Sequence, residues 1–233
     1  MSVHTLPTPI PANEAVSGVR GRLSLKEAIV LADVEEKPVR KDIENGILTE
    51  PSLHRVAGGR LCMEWDTVFV IAAVYGNRHL SIEARKIAIG AIDDMRRNSA
   101  EPNWWKSPLD FSRPESFDDM DRKSISIDKY VSLDLFTACH NVVPRLRLYA
   151  YGLTRIEERD DILGGEAVFK NSRLPVTHVG KMIESGETVE NIIEDYPYLN
   201  EDDVRFSSLY TRAHPPTGRP RKRGDADDVS PDS

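Results

Sequence analysis

A group of cations between positions 37 and 60 poses the first chemical question. Lys37, Arg40 and Lys41 recur at i, i+3 and i+4, so on a helix they share one face. Arg55 and Arg60 flank Gly58-Gly59 a little further on, with His54 beside them. Such an array does no covalent chemistry. Its chemistry is the binding of a polyanion, in which each ammonium or guanidinium displaces a counterion from a phosphate. Other reactive residues are too sparse to suggest more. Cys62, Cys139, His140 and His178 could in principle converge on a metal, but their spacing matches no zinc pattern, and a buried structural role suits both cysteines better. The chain has no phosphate-binding glycine loop, GxSxG elbow, HExxH helix or paired CxxC motif. No catalytic residue, metal or cofactor is therefore expected, and the chain does not read as an enzyme.

The whole-molecule balance limits what those cations can mean. The 233 residues carry a formal net charge of -7, so any contact with nucleic acid has to come from a local basic patch and not from the whole surface. An acidic excess also suits a basic protein partner, although acidity alone is an ordinary device of solubility. Two cysteines far apart in sequence fit a reducing compartment. The opening MSVHTLPTPIPANEA has neither a basic start nor an apolar run, and no apolar stretch approaches the length of a membrane span. A cytoplasmic protein with no membrane association is expected.

The elements that must position the cations are legible. Ser24 and Glu27 form a capping box at the start of a helix whose Leu25, Ala28, Ile29 and Leu31 give one apolar face. A turn at Ala32-Asp33 leads to a second helix, which tolerates Pro38 in its first turn. There Val34, Val39, Ile43 and Leu48 point inward, while Lys37, Arg40, Lys41 and Glu44 point outward, and Asn45-Gly46 closes the helix. Two short apolar runs on either side of Gly58-Gly59 predict a hairpin. Helix, helix and hairpin make the layout of a winged helix-turn-helix, with the second helix in the major groove and the hairpin on the flanking phosphates. The competing interpretation is a helical hairpin that does nothing but fill a core.

These residues resemble the helix-turn-helix of the MerR and excisionase type, which runs as LSxxEAAxLxxVxxxTVRxxIxxGxL. The matching positions are Leu23, Ser24, Glu27, Ala28, Leu31, Val34, Val39, Arg40, Ile43, Gly46 and Leu48. Pro38 departs from that pattern, which has Thr or a similar polar residue there. The charged outer face of the second helix beside the Gly-Gly hairpin makes Lys37, Arg40, Lys41, Arg55 and Arg60 the candidate DNA contacts. Downstream, TVFVIAAVY reads as a strand or a helix. A Ser81-capped helix then buries Ile82, Ile87, Ile89 and Ile92, to pack the first domain or to pair two copies. Residues 124 to 160 predict a short strand or two, from the alternation of Ile125, Ile127, Val131, Leu133 and Leu135, and a helix interrupted by Pro144.

A second helix-turn-helix outline follows in KNSRLPVTHVGKMIESGETVENIIEDYPYL. Pro175 fixes the chain, Thr177 caps a helix with Val179, Met182 and Ile183 inward, and Ser185-Gly186 ends it. Thr188 caps the next helix until Pro197 stops it, and Asn200 with Asp203 caps a third through Val204, Phe206 and Leu209. The middle helix carries Glu187, Glu190, Glu194 and Asp195 with no Lys or Arg. Phosphate would repel that face, so it suits a basic protein surface or is simply solvated.

Here the chain is similar to the domain-of-unknown-function family 433, whose signature runs GGxPxIxGTRIPV, a helix, a Gly turn, then SxEEILxDYPxLTxEDVRxALxY. The similarity spans Asp161 to about Tyr210 and rests on Gly164, Gly165, Arg173, Leu174, Pro175, Val176, Gly186, Ile193, Asp195, Tyr196, Pro197, Leu199, Asp203, Val204 and Arg205. Asn171-Ser172 stands where the family has Gly-Thr, and Asn tolerates the positive φ that turn needs. A MerR-like unit followed by a unit of this kind resembles the larger mycobacterial VapB antitoxins. That resemblance implies promoter DNA and a PIN-domain ribonuclease toxin as partners, in a homodimer or a toxin–antitoxin hetero-oligomer. Trp104, Trp105, Arg173, Glu190 and Glu194 are the candidate partner-binding residues, although Trp104-Trp105 can equally fold back on their own domain. The basic run Arg219 to Arg223 weakly resembles an AT-hook, and a tail arginine could instead reach a toxin's acidic active site. The alternative function is a stand-alone dimeric DNA-binding transcriptional regulator.

The expected architecture is mainly α with small β elements. It comprises a flexible arm over residues 1–20, a winged helix-turn-helix domain over 21–99, a linker over 100–123, a C-terminal helical, helix-turn-helix-like domain over 124–212 and a disordered tail over 213–233.

Overall fold

In the computed structural model of this protein, residues 21–98, 124–129, 131–159, 161 and 164–215 are described. The expected arm, the linker with Trp104 and Trp105, and the basic run 219–223 lie outside them. The described chain is mainly helical with three small antiparallel sheets.

The first helix, α1 (Leu25–Ala32), starts at a complete capping box: the Ser24 hydroxyl accepts from the Glu27 N–H, and the Glu27 carboxylate accepts from the Ser24 N–H. It ends where Asp33 takes a left-handed conformation, φ 57°, which short polar side chains tolerate best. Helix α2 (Glu36–Glu44) follows directly and is closed by Asn45 and by Gly46 at φ 68°. Strands β2 (His54–Arg55) and β3 (Leu61–Met63) pair across Gly58 and Gly59, both at positive φ. A short strand ahead of α1, β1 (Leu23–Ser24), lies on the other side of β3, giving the order β1-β3-β2. The chain entering the two-helix unit is thereby tied to the hairpin leaving it.

The ambiguous segment TVFVIAAVY is helix α3 (Thr67–Tyr75), buried along nearly its whole length. An apolar run without periodicity becomes a helix here because neighbours cover every side, α1, α2, α4 and α5 all packing on it. The Ser81 hydroxyl caps α4 (Ile82–Asn98) by accepting from the Ala84 N–H. Ile89 and Ile92 are buried as expected, but Ile82 and Ile87 are not: each is 44% exposed on the outer face. The buried stripe of α4 instead runs through Ala88, Ile89 and Ile92, the positions that i, i+3, i+4 spacing puts on one side.

Residues 124–155 form a hairpin, β4 (Ser124–Ser126) and β5 (Ser132–Asp134), and then α5 (Leu135–Arg155), capped by Asp134. Leu135 opens the helix and does not extend the strand. Pro144 lies inside α5 without interrupting it. The lost N–H and ring clash cost about 3 kcal/mol. Burial of Cys139, Val142, Val143, Leu146 and Tyr149 opposes that cost, at roughly 1.5–3 kcal/mol for each large apolar side chain.

Strands β6 (Ile156–Glu157) and β7 (Val168–Phe169) pair antiparallel and lead into α6 (Val176–Glu184), α7 (Val189–Asp195) and α8 (Glu201–Ala213). Asn171 has φ 60°, so it adopts the turn expected of it. The N-cap of α6 is Pro175, not Thr177; Thr177 lies within the first turn and its hydroxyl donates to Glu166. Thr188 and the Asn200–Asp203 box cap α7 and α8 as the sequence indicates. Helix α8 extends through Ala213, which is buried, and His214 packs back on the fold, so order passes the expected boundary at 212.

A single apolar cluster draws on both halves of the chain, from Leu23 and α1 to Ala213. Helix α1 packs on α3, α5 and α8, and α6 lies along α8. Two glycines permit the closest approaches. A Cβ on Gly152 would sit 2.0 Å from the Phe206 ring, and one on Gly180 would sit 2.0 Å from Thr211 Oγ1.

Candidate nucleic-acid interface

Helix α2 is amphipathic, with Val39 and Ile43 buried and Lys37, Arg40, Lys41 and Glu44 exposed. Lys37 and Lys41, one turn apart, have no ion pair among the described residues. Arg40 does: Glu36 accepts from it and also holds Lys26, so Arg40 is the least available of the three. On the hairpin, Arg55 and Arg60 are exposed and unpaired among the described residues. His54 is half-buried, between Glu50 and Glu64. All five expected cations are thus solvent-facing, on α2 and the adjacent hairpin.

The acids of this region are mostly committed elsewhere, which the count of charges does not reveal. Asp42 is wholly buried, and Arg85 of α4 grips its two oxygens at 2.6 and 3.0 Å while the Tyr75 hydroxyl donates at 3.2 Å. Burial first, and the Asp42 charge second, push the Tyr75 phenol above its ordinary range, so it stays a donor. Glu35 pairs with Arg78, and Glu36 is shared between two cations. On α2 itself Glu44 is the acid left facing the same solvent as Lys37 and Lys41. Asp42 was legible in principle, since it falls on the stripe of Val39 and Ile43 and a carboxylate there requires a buried cation. Its partner, 43 residues away, was not.

Behind this face sits a polar cluster that motif reading misses. Glu27 is only 4% exposed. Beyond its capping bond to Ser24, its carboxylate accepts from the Tyr149 hydroxyl at 2.8 Å and lies 3.4 Å from His214 Nε2. Burial works to raise its pKa, but the bonds from His214, Ser24 and Tyr149 outweigh that and hold it at about 2. Tyr149, fully buried on α5, also contacts the ring of Trp65, just past β3, and that of Phe206 on α8. His214 stacks on Tyr210 with ring centroids 4.2 Å apart. At the other end of α1, Asp33 pairs with Arg145 of α5 and Arg212 of α8.

The second unit is of opposite character. Glu187, Glu190, Glu194 and Asp195 are all exposed on or beside α7, and none makes an ion pair among the described residues. Tyr198, 51% exposed, stands just beyond them. Arg173 is exposed in the turn ahead of α6, and Glu190 and Glu194 lie one turn apart on α7. The acid of this unit that matters internally is Asp203, which caps α8 and accepts from Arg155 through both oxygens at 2.9 Å.

Cys62 and Cys139 are buried free thiols, and burial pushes the Cys139 thiol up to about 12. Among the described residues no three His, Cys, Asp or Glu side chains are grouped to hold a metal, and no helix is long and apolar enough to cross a membrane.

Comparison with known proteins finds a family for the C-terminal part of the chain and one relative of similar length. Residues 156–210 match the model of a protein family of unknown function, DUF433. The match begins at β6, the strand that pairs with β7, five residues ahead of Asp161. The chain is also similar to an uncharacterized protein of Sinorhizobium fredii, with 27% identity over 204 residues that cover 87% of this chain and 86% of the relative. An alignment of that extent includes the first unit as well as the second. No solved structure matches the chain significantly.

Proposed function

We propose that the chain is an antitoxin of a type II toxin–antitoxin module, which binds its own promoter through α2 and the hairpin and holds a PIN-domain ribonuclease inactive. The observation that carries the DNA half of this reading is the exposure of Lys37, Lys41, Arg55 and Arg60 on one helix and its adjacent hairpin, without an ion pair among the described residues, while Asp42 is neutralised inside. Cations left without an internal partner are free to release phosphate counterions, and a helix followed by a hairpin tied to β1 has the layout that places one element in a groove and the other on the backbone. Supporting the protein half are the acids of α7, which make no ion pair among the described residues, beside the exposed Tyr198. A basic surface complements such a face, and Tyr is among the residues enriched at binding hot spots. The choice of a PIN-type toxin comes from the likeness of the two units, in this order, to the larger VapB antitoxins.

Changing Lys37 and Arg40 together to Ala is expected to weaken binding to the DNA upstream of the chain's own gene at fixed salt and to make the salt dependence shallower, with the fold intact. Unchanged affinity would overturn the assignment. Co-expression with the protein encoded next to this one tests the other half. A stable, non-toxic complex supports the antitoxin reading, whereas DNA binding without any complex leaves a stand-alone dimeric regulator.

A further inference from the structure

The two ends of α1 are held by the C-terminal half of the chain, and through different chemistry. At the N-terminal end the contact is buried: Glu27 accepts from the Tyr149 hydroxyl and faces His214. At the C-terminal end it is exposed: Arg145 and Arg212 converge on Asp33. Asp33 is the left-handed residue whose conformation sets the angle at which α2 leaves α1. Tyr149 meanwhile touches Trp65, the second residue after β3. One fully buried side chain of α5 therefore touches α1, which leads into α2, and Trp65, which follows the hairpin, and it also contacts Phe206 within α8 and His214 just past its end.

We propose that the Tyr149–Glu27–His214 cluster couples the DNA face to the end of α8, so that DNA bound at α2 and the hairpin tightens the segment 204–214. Reciprocally, any partner that displaces His214 lowers DNA affinity. This rests on the DNA-binding reading and adds its regulation. The physical basis is a satisfied buried network. Glu27 uses its carboxylate to cap α1 and to accept from Tyr149, so α1 cannot tilt without breaking a bond between two buried side chains. Linkage then requires the effect to run both ways. The Asp33 pairs, being exposed, orient the turn but contribute little energy.

Hydrogen exchange of the full chain, with and without the DNA fragment upstream of its gene, tests this. In the wild type, DNA is expected to slow exchange at α2 and the hairpin and, on the order of fivefold or more, at residues 204–214. In His214→Ala the slowing at α2 remains and that at 204–214 is lost. Tyr149→Phe, which keeps the ring and removes the hydroxyl, gives the same result. Slowing at α2 with none at 204–214 in the wild type overturns the coupling and leaves DNA binding standing. Equal slowing at 204–214 in the wild type and both variants also overturns it, since that is global stabilisation by mass action. No slowing at α2 and no gel shift overturns the DNA-binding reading, and the coupling with it.

Discussion

Glu27 shows how far one residue's role can exceed its motif. As the third residue of a helix it is a capping partner, yet burial and three hydrogen-bond donors make it the junction of α1, α5 and the end of α8. Its pKa is held at about 2, below the ordinary 4.5. A lowered carboxylate pKa contributes stability that is fully present above the unfolded value and is lost as pH falls from about 4.5 towards 2. Glu27→Gln should therefore be less stable than the wild type at neutral pH, and the gap between the two should narrow across that acid window when urea midpoints are compared. A gap independent of pH would show that Glu27 acts only by shape. The same scale governs Gly180 and Gly152, where no Cβ fits. Gly180→Ala is expected to cost about 1–3 kcal/mol by overpacking against α8, read as a lower urea midpoint with an unchanged m-value.

At the scale of elements, ion pairs to buried carboxylates lock helices whose apolar faces alone leave their rotation loose. Arg85 on α4 fixes α2 through Asp42, and Arg155 at the end of α5 fixes the start of α8 through Asp203. Arg85→Met strands a buried carboxylate, for which breaking one side of a buried pair costs on the order of 3–5 kcal/mol. The double change Arg85→Met with Asp42→Leu should recover much of that loss, since an apolar pair needs no desolvation. Thermal melts of the single and double variants decide this, and a double variant no better than the single would mean that packing, not charge, is at fault. Exposed Ile82 and Ile87 make the opposite case: Ile87→Ser should change stability by no more than about 0.5 kcal/mol, as at other surface sites.

For the whole molecule, the common apolar cluster matters more than the separate units. Helix α1, which presents the two-helix unit, is packed by α5 and α8, so removing the C-terminal helices exposes Leu25, Ala28 and their neighbours. A fragment ending near residue 98 is expected to show lost cooperativity in urea and to bind an apolar dye, whereas the full chain melts in one transition. A fragment that unfolds as sharply as the full chain would show that the N-terminal unit needs no such support. The charge distribution also belongs to this scale. A net charge of -7 coexists with a basic face on α2 and the hairpin because several acids near α2 are paired or buried, while those on and beside α7 make no ion pair among the described residues.

Local chemistry decides what is legible without a structure. The capping boxes at Ser24–Glu27 and Asn200–Asp203, the Gly58-Gly59 hairpin, the left-handed Asn171 and the outward face of α2 all follow from residues within a few positions of one another, so the sequence alone determines them. Their energies are set by short-range geometry. What it could not determine rests on contacts between distant positions. Pro144 is tolerated because a buried face holds α5, TVFVIAAVY is a helix because neighbours surround it, and Ile82 and Ile87 are exposed because α4 turns another stripe inward. Glu27 meets Tyr149 across 122 positions. Packing and desolvation, which depend on what lies across the core, selected these outcomes from several that local propensity allowed.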